Sequence, residues 1–385
     1  MAGNPLAVAA LLLIAVSAVG SFYLIAAAIA VRRFAARRQE RGAATPPVSV
    51  LKPLCGEDPE LFENLESLCR QDYPRWQIVF GVQTPRDPAI AVVARLIERF
   101  PRADLSLVSE GAGRAGNLKV ANLQNMLPAA RHPVLVIADS DMRVAPDYLA
   151  EVTAPLGDPA IGLVTCLYRG IAVGGLWSRL ACLHINHGFL PQAVFAAALG
   201  TETGCFGATI ALSRETLDAV GGLEAIADAL ADDHALGVAV RRLGRRVLLS
   251  PCIVDNIIDE PSLGALFRHE LRWARTIRLI TPAGFIGSVV THPLALGVLA
   301  VLPGAYPIAA WTTLALAAAC RVVTIRQIDV ALRLPPTPPW LIPVRDLLSF
   351  AVFVASFFAR KVAWRDRTFR LGPKGRLILD GDRPA

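Results

Sequence analysis

Charge is scarce in this 385-residue chain, and its scarcity is local. Only 18% of residues are charged, against 54% hydrophobic. From Leu6 to Val31 there is no charge at all, a run long enough to cross a bilayer as a helix. Positive charge follows that run, in "RRFAARRQER" from Arg32 to Arg41, and does not precede it. A cleavable leader has the opposite order, so the run reads as a retained anchor with its Arg cluster in the cytoplasm. No CxxC pair is present, and the seven cysteines are scattered. Zinc modules and a disulfide framework are thereby disfavoured, and free thiols in a reducing compartment are expected. Helix-turn-helix, zinc-finger and RNA-binding aromatic motifs are also missing, as are repeats and low-complexity segments. The net charge of +7 gathers beside apolar segments, at Arg32–Arg41, Arg268–Arg278 and Arg360–Arg370. That placement fits anionic lipid headgroups and argues against nucleic acid as a partner.

Between Val48 and about Pro261, strand and helix patterns alternate. Strands are expected at Val48–Leu51, Trp76–Val82, Leu105–Ser109, Val134–Ala138 and Ile161–Cys166. Helical stretches lie between them, in "DPAIAVVARLIERF" and "NLKVANLQNML". The alternation predicts an α/β domain with a mainly parallel sheet. Three apolar runs follow: Phe285 to about Leu302, Pro307–Cys320 and Leu347–Phe358. The first two read as a transmembrane hairpin or as deeply inserted helices, and the third as a re-entrant or interfacial segment. The pair Arg345-Asp346 at its start needs a cavity or a partner at membrane depth. The expected organisation is an anchor at 1–32, a basic linker at 33–47, a sheet domain at 48–280, membrane-embedded helices at 281–360 and a basic tail at 361–385.

The chemistry concentrates in a few places. "VLVIADSDMRV" runs an apolar strand into Asp139 and Asp141. In open α/β sheets ligands gather at the carboxyl ends of such strands. Two carboxylates there suit a hard cation and a diphosphate, although Asp-Ser-Asp is also ordinary turn chemistry. "GRAGNLKVANL" offers Asn117 and Lys119 at a helix start, where anions bind. "ALADDHALGVAVRRLG" places Asp232 and Asp233 before a helix, one read as a cap and one as a carboxylate base. "FRHELRWART" supplies Arg272 and Trp273, a phosphate donor beside a flat apolar wall, or else an interfacial amphipathic helix. "TGCFGATIALSRETLDAVGGL", with Thr203 and Gly204, reads as pocket wall or turn.

In this order the pieces resemble family-2-like glycosyltransferases of GT-A fold. More closely, "VSVLKPLCGEDPELFENLESLCRQDYP" and "VQTPRDPAI" resemble the opening blocks of the ceramide glucosyltransferase family, which includes bacterial hopanoid-modifying enzymes. The likeness runs from the anchor to the "WRDRTFRL" tail. It implies a GT-A nucleotide-sugar domain between membrane helices. The expected reaction is inverting transfer from a UDP-sugar, UDP-glucose or UDP-GlcNAc, to a lipid hydroxyl on ceramide or a hopanoid. By the resemblance, Asp87 lies near the nucleotide. Asp139 and Asp141 hold Mg2+ or Mn2+, and Asp233 is the base. Arg272 and Trp273 are the Arg-Trp of a Q/R-x-x-R-W motif whose first position is His269 here. His187, in "HINHG", falls where the family has a functional histidine. The expected site is at the bacterial inner membrane, with the sheet domain cytoplasmic. A processive polysaccharide synthase and an inactive membrane scaffold are the competing readings.

Overall fold

The computed structural model describes residues 4–37, 45–111, 115–201 and 204–358, and the backbone of strands within 361–379. The chain forms two compact units. One comprises residues 38–173, 202–259 and 364–385. The other comprises 1–37, 174–201 and 260–363.

The first unit is built on an eight-stranded sheet. Its strands are β1 (Val48–Pro53), β2 (Trp76–Val82), β3 (Leu105–Ser109), β4 (Val134–Ile137), β5 (Met142–Arg143), β6 (Ile161–Ala172), β7 (Ile210–Ser213) and β8 (Arg246–Ile258). Their order is β3-β2-β1-β4-β7-β6-β8-β5. The β3-β2-β1-β4 half is parallel throughout. β7 then runs antiparallel to both β4 and β6, while β6 and β8 are parallel. Every residue of β4 is buried because both faces are covered. Val134 and Val136 pack into one core layer, Leu135 and Ile137 into the other. The helix Ala89–Arg99 buries Ala89, Val92, Val93 and Leu96, the stripe expected at helical spacing. Pro88 precedes this helix and is not inside it, and the Ala89 amide is taken by the Asp87 carboxylate at 3.0 Å.

β8 escapes sequence reading because Pro251 interrupts it and its apolar residues do not alternate. The structure accommodates the proline in a register shift: Cys166 pairs with Ser250, but the next residue, Leu167, pairs with Ile253. A bulge is one of the few places where a sheet tolerates proline.

The second unit departs from the expected boundary at 280. Residues 174–201 and the helix Leu263–Ile280 belong with the apolar helices and not with the sheet. The anchor helix Pro5–Ala35 packs against Pro307–Ala331, Pro293–Val301 and Leu190–Ala198. Tyr23 meets Phe195 edge-on, with centroids 5.1 Å apart. Among the described residues, three helices are long and apolar enough to cross a membrane: Pro5–Ala35, Pro307–Ala331 and Leu341–Phe358. The third C-terminal run, expected as a re-entrant or interfacial segment, is thus long enough to span, while the first is interrupted. Pro282–Thr291 and Pro293–Val301 are bent by 66°, the mark of a broken span or a re-entrant loop, at a break flanked by Pro293. The run ending at Phe358 is a continuous span candidate.

Arg345 and Asp346 each find a partner. Arg345 makes two 2.7 Å bonds to the Glu270 carboxylate, and Arg321 makes two 2.7 Å bonds to Asp346. Losing one member of such a buried pair typically costs about 3–5 kcal/mol, since the other charge is left uncompensated. The segment read as a basic tail carries three short strands, Lys361–Trp364, Arg367–Leu371 and Leu377–Leu379, in a sheet of their own.

Candidate active site

β4 ends at Ile137, and the chain turns at once. The Met142 amide donates to the Asp139 carbonyl at 3.3 Å, closing a turn that projects Asp139 and Asp141 beyond the strand end. Asn256 Nδ2, from β8, donates to Asp141 Oδ2 at 2.7 Å. Lys119 Nζ lies 2.6 Å from Asp139 Oδ1 and 3.6 Å from Asp232 Oδ2. Lys119 is aimed by its neighbour. Asn117 caps the helix Leu118–Met126, accepting the Lys119 amide at 2.9 Å and the Val120 amide at 3.3 Å. Its own amide nitrogen donates to the Ala229 carbonyl and to Asp232 Oδ1. Asn117 is fully buried, so it serves the site through Lys119 and Asp232.

Asp232 is not a cap. Ala231 holds the N-cap position of the helix Asp232–Arg242 without a side-chain bond, and the Asp232 carboxylate faces Asn117 and Lys119. Asp233 Oδ2 accepts the Gly207 amide at 2.9 Å, and its Oδ1 accepts the His234 amide at 2.7 Å. Gly207 is the meeting point. A Cβ there would lie 3.2 Å from Asp139 Oδ2, 3.3 Å from Asp233 Oδ2 and 3.4 Å from Lys119 Nζ. Only glycine leaves that space between three charged groups. Gly204 has a packing role, for a Cβ on it would meet the His234 ring at 2.4 Å. Thr203 lies outside the described residues. Asp87 is buried, with its carboxylate accepting the Gly56 amide at 3.0 and 3.1 Å and the Ala89 amide at 3.0 Å. It thus ties the loop after β1 to a helix start.

The electrostatics follow from this crowding. Burial, then Asp139 and Asp58, push the Asp141 carboxyl up to about 6 against the pull of Asn256 and Lys52. Burial, then Asp232, push Asp233 up to about 6 against Lys119 and the His234 amide. Burial alone would lower Lys119, but Asp139 and Asp232 outweigh it and hold it above the usual lysine value. Tyr168, on β6, is pushed up by burial and by Asp141, Asp233 and Asp139.

No group of three or more His, Cys, Asp or Glu side chains is placed to hold a metal among the described residues. Among the described residues there is thus no fully protein-made cage. The donor set fits a cation that also takes ligands from a diphosphate: two hard carboxylates on one turn, in a field already unfavourable to a second negative charge.

Four expected residues belong to the helical unit. His187 is buried, with Nε2 2.7 Å from Asp329 Oδ1, and its Nδ1 has no hydrogen-bond partner among the described residues. Arg272 and Trp273 lie on the helix Leu263–Ile280. His269 is one turn before Trp273; its Nδ1 is 2.7 Å from Glu260 Oε1, and its ring meets the indole at 4.3 Å and 62°. Trp273 also stacks with His184, centroids 6.4 Å apart.

Sequence reading passed over Lys52, Asp58, Gly207, Tyr168 and Asn256. A signal existed for Lys52, a charge inside the apolar strand "VSVLKP". The structure buries it fully, and its Nζ donates to the Asp139 carbonyl. Burial lowers its ammonium to about 8 against the pull of Asp141, Asp139 and Asp58.

A mannosyltransferase, PcManGT from Pyrobaculum calidifontis, in complex with GDP-Man and Mn2+, aligns over 90% of this chain and 99% of its own, with a TM-score of 0.52 and 22% identity. The likeness shows the GT-A fold. Ceramide glucosyltransferase 1 of Caenorhabditis elegans is 27% identical over 206 residues, 53% of this chain and 44% of the relative. An N-acetylglucosaminyltransferase of Rhizobium leguminosarum bv. viciae is 23% identical over 246 residues, 60% of this chain and 55% of the relative. The chain spans about half the length of the curated relatives it matches. The profile of glycosyl transferase family 21 matches residues 12–377, and the chain belongs to that family.

Proposed function

We propose that the protein transfers a sugar from a UDP-sugar, UDP-glucose or UDP-GlcNAc, to the hydroxyl of a membrane lipid, with inversion at the anomeric carbon. The carrying observation is the convergence of Asp139, Asp233 and Lys119 on Gly207 at the end of β4. The names of the nematode and rhizobial relatives support glucose and N-acetylglucosamine as the sugars to test, and the former supports a lipid acceptor. Three helices apolar enough to cross a membrane support an acceptor drawn from the bilayer. A hopanoid or ceramide is the acceptor class. Mass spectrometry of lipids from cells with and without the gene tests this, and an unchanged glycolipid profile would count against it.

Asp139 and Asp141 would hold Mg2+ or Mn2+, which supplies neutralising charge to the departing diphosphate. Lys119 adds a second positive charge, turning from Asp139 toward a phosphate oxygen. Asp233 takes the proton of the lipid hydroxyl as that oxygen attacks. For Arg272 and Trp273, on the helix Leu263–Ile280 of the helical unit, a role as phosphate donor and wall is supported by the family resemblance alone.

A carboxylate held near 6 is charged at neutral pH and basic enough to accept a proton. As pH falls through about 6, Asp233 takes up a proton and the base is lost. The same shift makes the folded chain bind more protons than the unfolded chain between about 3.8 and 6, so the contribution of Asp233 to stability falls as pH rises through that window. At saturating Mn2+, kcat/KM should show an acidic limb near 6 with a logarithmic slope of about one, since one base titrates. At limiting Mn2+ the limb should steepen, because protons also compete for Asp141. A flat pH–rate profile between 5 and 7 would remove Asp233 from this role.

Lipid synthesis from nucleotide sugars fits a sheet domain on the cytoplasmic face of a bacterial inner membrane. The Arg residues that end the first apolar run motivate this orientation. A cysteine introduced at exposed Arg86 should resist a membrane-impermeant thiol reagent in intact cells and react after lysis. Ready labelling of intact cells would reverse the topology.

A further inference from the structure

Lys52 is an unusual occupant of a strand end. It lies within β1, is 0% exposed, and its ammonium reaches the main chain of a neighbouring turn instead of water. An ammonium removed from water is costly unless it is paired. Here the pairing is with the Asp139–Asp141 turn as a whole. Nζ donates to the Asp139 carbonyl, the oxygen that also accepts the Met142 amide. Asp141, Asp139 and Asp58 are the negative groups that act on it. Asp58, from the loop after β1, accepts the Ser140 hydroxyl in the middle of the same turn. β1 and its following loop thus grip the turn at two points, one cationic and one anionic. Lys119 approaches Asp139 from the helix Leu118–Met126 and remains 19% exposed, able to turn toward a ligand. Lys52 has no such room.

We propose that Lys52 is a positioning residue and the resident counter-charge of the Asp139–Asp141 turn. It anchors the turn and balances its carboxylates before a divalent cation arrives, and it thereby restrains the turn's affinity for that cation. The inference rests on the metal reading proposed above. A lysine that only anchored the turn, without acting as its counter-charge, would have the opposite consequence: its removal would loosen the turn and weaken cation binding.

The test is a Mn2+ titration of the full-length protein in detergent, followed by the electron paramagnetic resonance signal of the free aquo ion. Wild type is compared with Lys52→Met, which removes charge and donor, and Lys52→Gln, which keeps a donor for the Asp139 carbonyl. Asp141→Asn locates the site. Wild-type uptake should be lost in Asp141→Asn. It should tighten by about tenfold in both Lys52 variants, because a like charge has been taken from beside the bound ion. Without Mn2+ both variants should melt earlier than wild type, and Mn2+ should raise their melting temperature by more. Unchanged or weakened Mn2+ binding in the Lys52 variants would overturn the inference. So would failure of both variants to accumulate when Mn2+ is supplied, because the cation should replace the missing charge. Absence of Asp141-dependent uptake in wild type would overturn the metal reading itself and this inference with it.

Discussion

Asp233→Asn should lower turnover by about 10²–10⁴-fold while UDP-sugar affinity changes little, because the loss falls on the proton transfer in the transition state. The substitution is less neutral than its shape implies. Both carboxylate oxygens of Asp233 accept main-chain amides, from Gly207 and from His234. Asparagine has one acceptor oxygen, so its amide group must face one of those N–H groups. That mismatch adds about 1–3 kcal/mol of stability loss. Melting temperature and donor affinity therefore have to be measured beside turnover. A folded, donor-binding, inactive variant is the expected outcome. Asp232→Asn is the companion. As a helix cap Asp232 would matter only to stability, by roughly 1 kcal/mol. Its actual position against Asn117 and Lys119 gives another expectation: weaker donor binding with a smaller effect on kcat, since Lys119 loses one of its two carboxylates. Should Asp232→Asn be the dead variant and Asp233→Asn active, the roles are exchanged.

Asp139→Ala and Asp141→Ala should each abolish metal-dependent UDP-sugar binding measured by calorimetry. The two losses differ in their side effects. Without Asp139, Lys119 loses its closest partner at 2.6 Å and is left with Asp232. Without Asp141, the Asn256 amide loses its 2.7 Å acceptor and the turn loses its tie to β8. Lys119, released from Asp139, is then freer to meet a phosphate, so metal-independent binding of UDP-sugar should suffer less in Asp139→Ala than in Asp141→Ala. Wild-type metal-dependent affinity in both variants would remove the cation from these two residues.

The parts of the fold legible in sequence are those where local pattern and tertiary environment agree. β2 and β3 have the expected bounds, and β4 ends within a residue of its own; β2 and β4 are covered on both faces and written as nearly continuous apolar runs, whereas the edge strand β3 is half-buried and alternates apolar with polar residues. β6 extends six residues past its expected end at Cys166, where polar and small residues replace the apolar run. Bend and length were not legible. The run beginning at Phe285 is apolar enough to cross a membrane, yet Pro293 sits at its 66° break. Hydropathy changes near 280, whereas the polar helix Leu263–Ile280 packs with the apolar ones. Glu270 explains part of this: a charge on a polar-looking helix becomes buried once Arg345 pairs with it. Within the site, Asp139, Asp141, Lys119 and Asp233 were visible as residue types in order. The assignment of Asp232 was not, because a cap and an inward carboxylate leave the same pattern at a helix start. Lys52 and Gly207 were hidden for a different reason. Their importance lies in what approaches them from distant strands.

Sugar transfer to a lipid is the reaction expected of the whole chain. Detergent-solubilised enzyme, Mn2+ and UDP-[14C]glucose or UDP-[14C]GlcNAc, with and without extracted membrane lipid, test it most directly. Label should pass into a lipid-soluble product, with matching UDP release, only when lipid is present and Asp233 is intact. UDP release with label retained in a growing polymer, or no turnover of either donor with any lipid fraction, would contradict it.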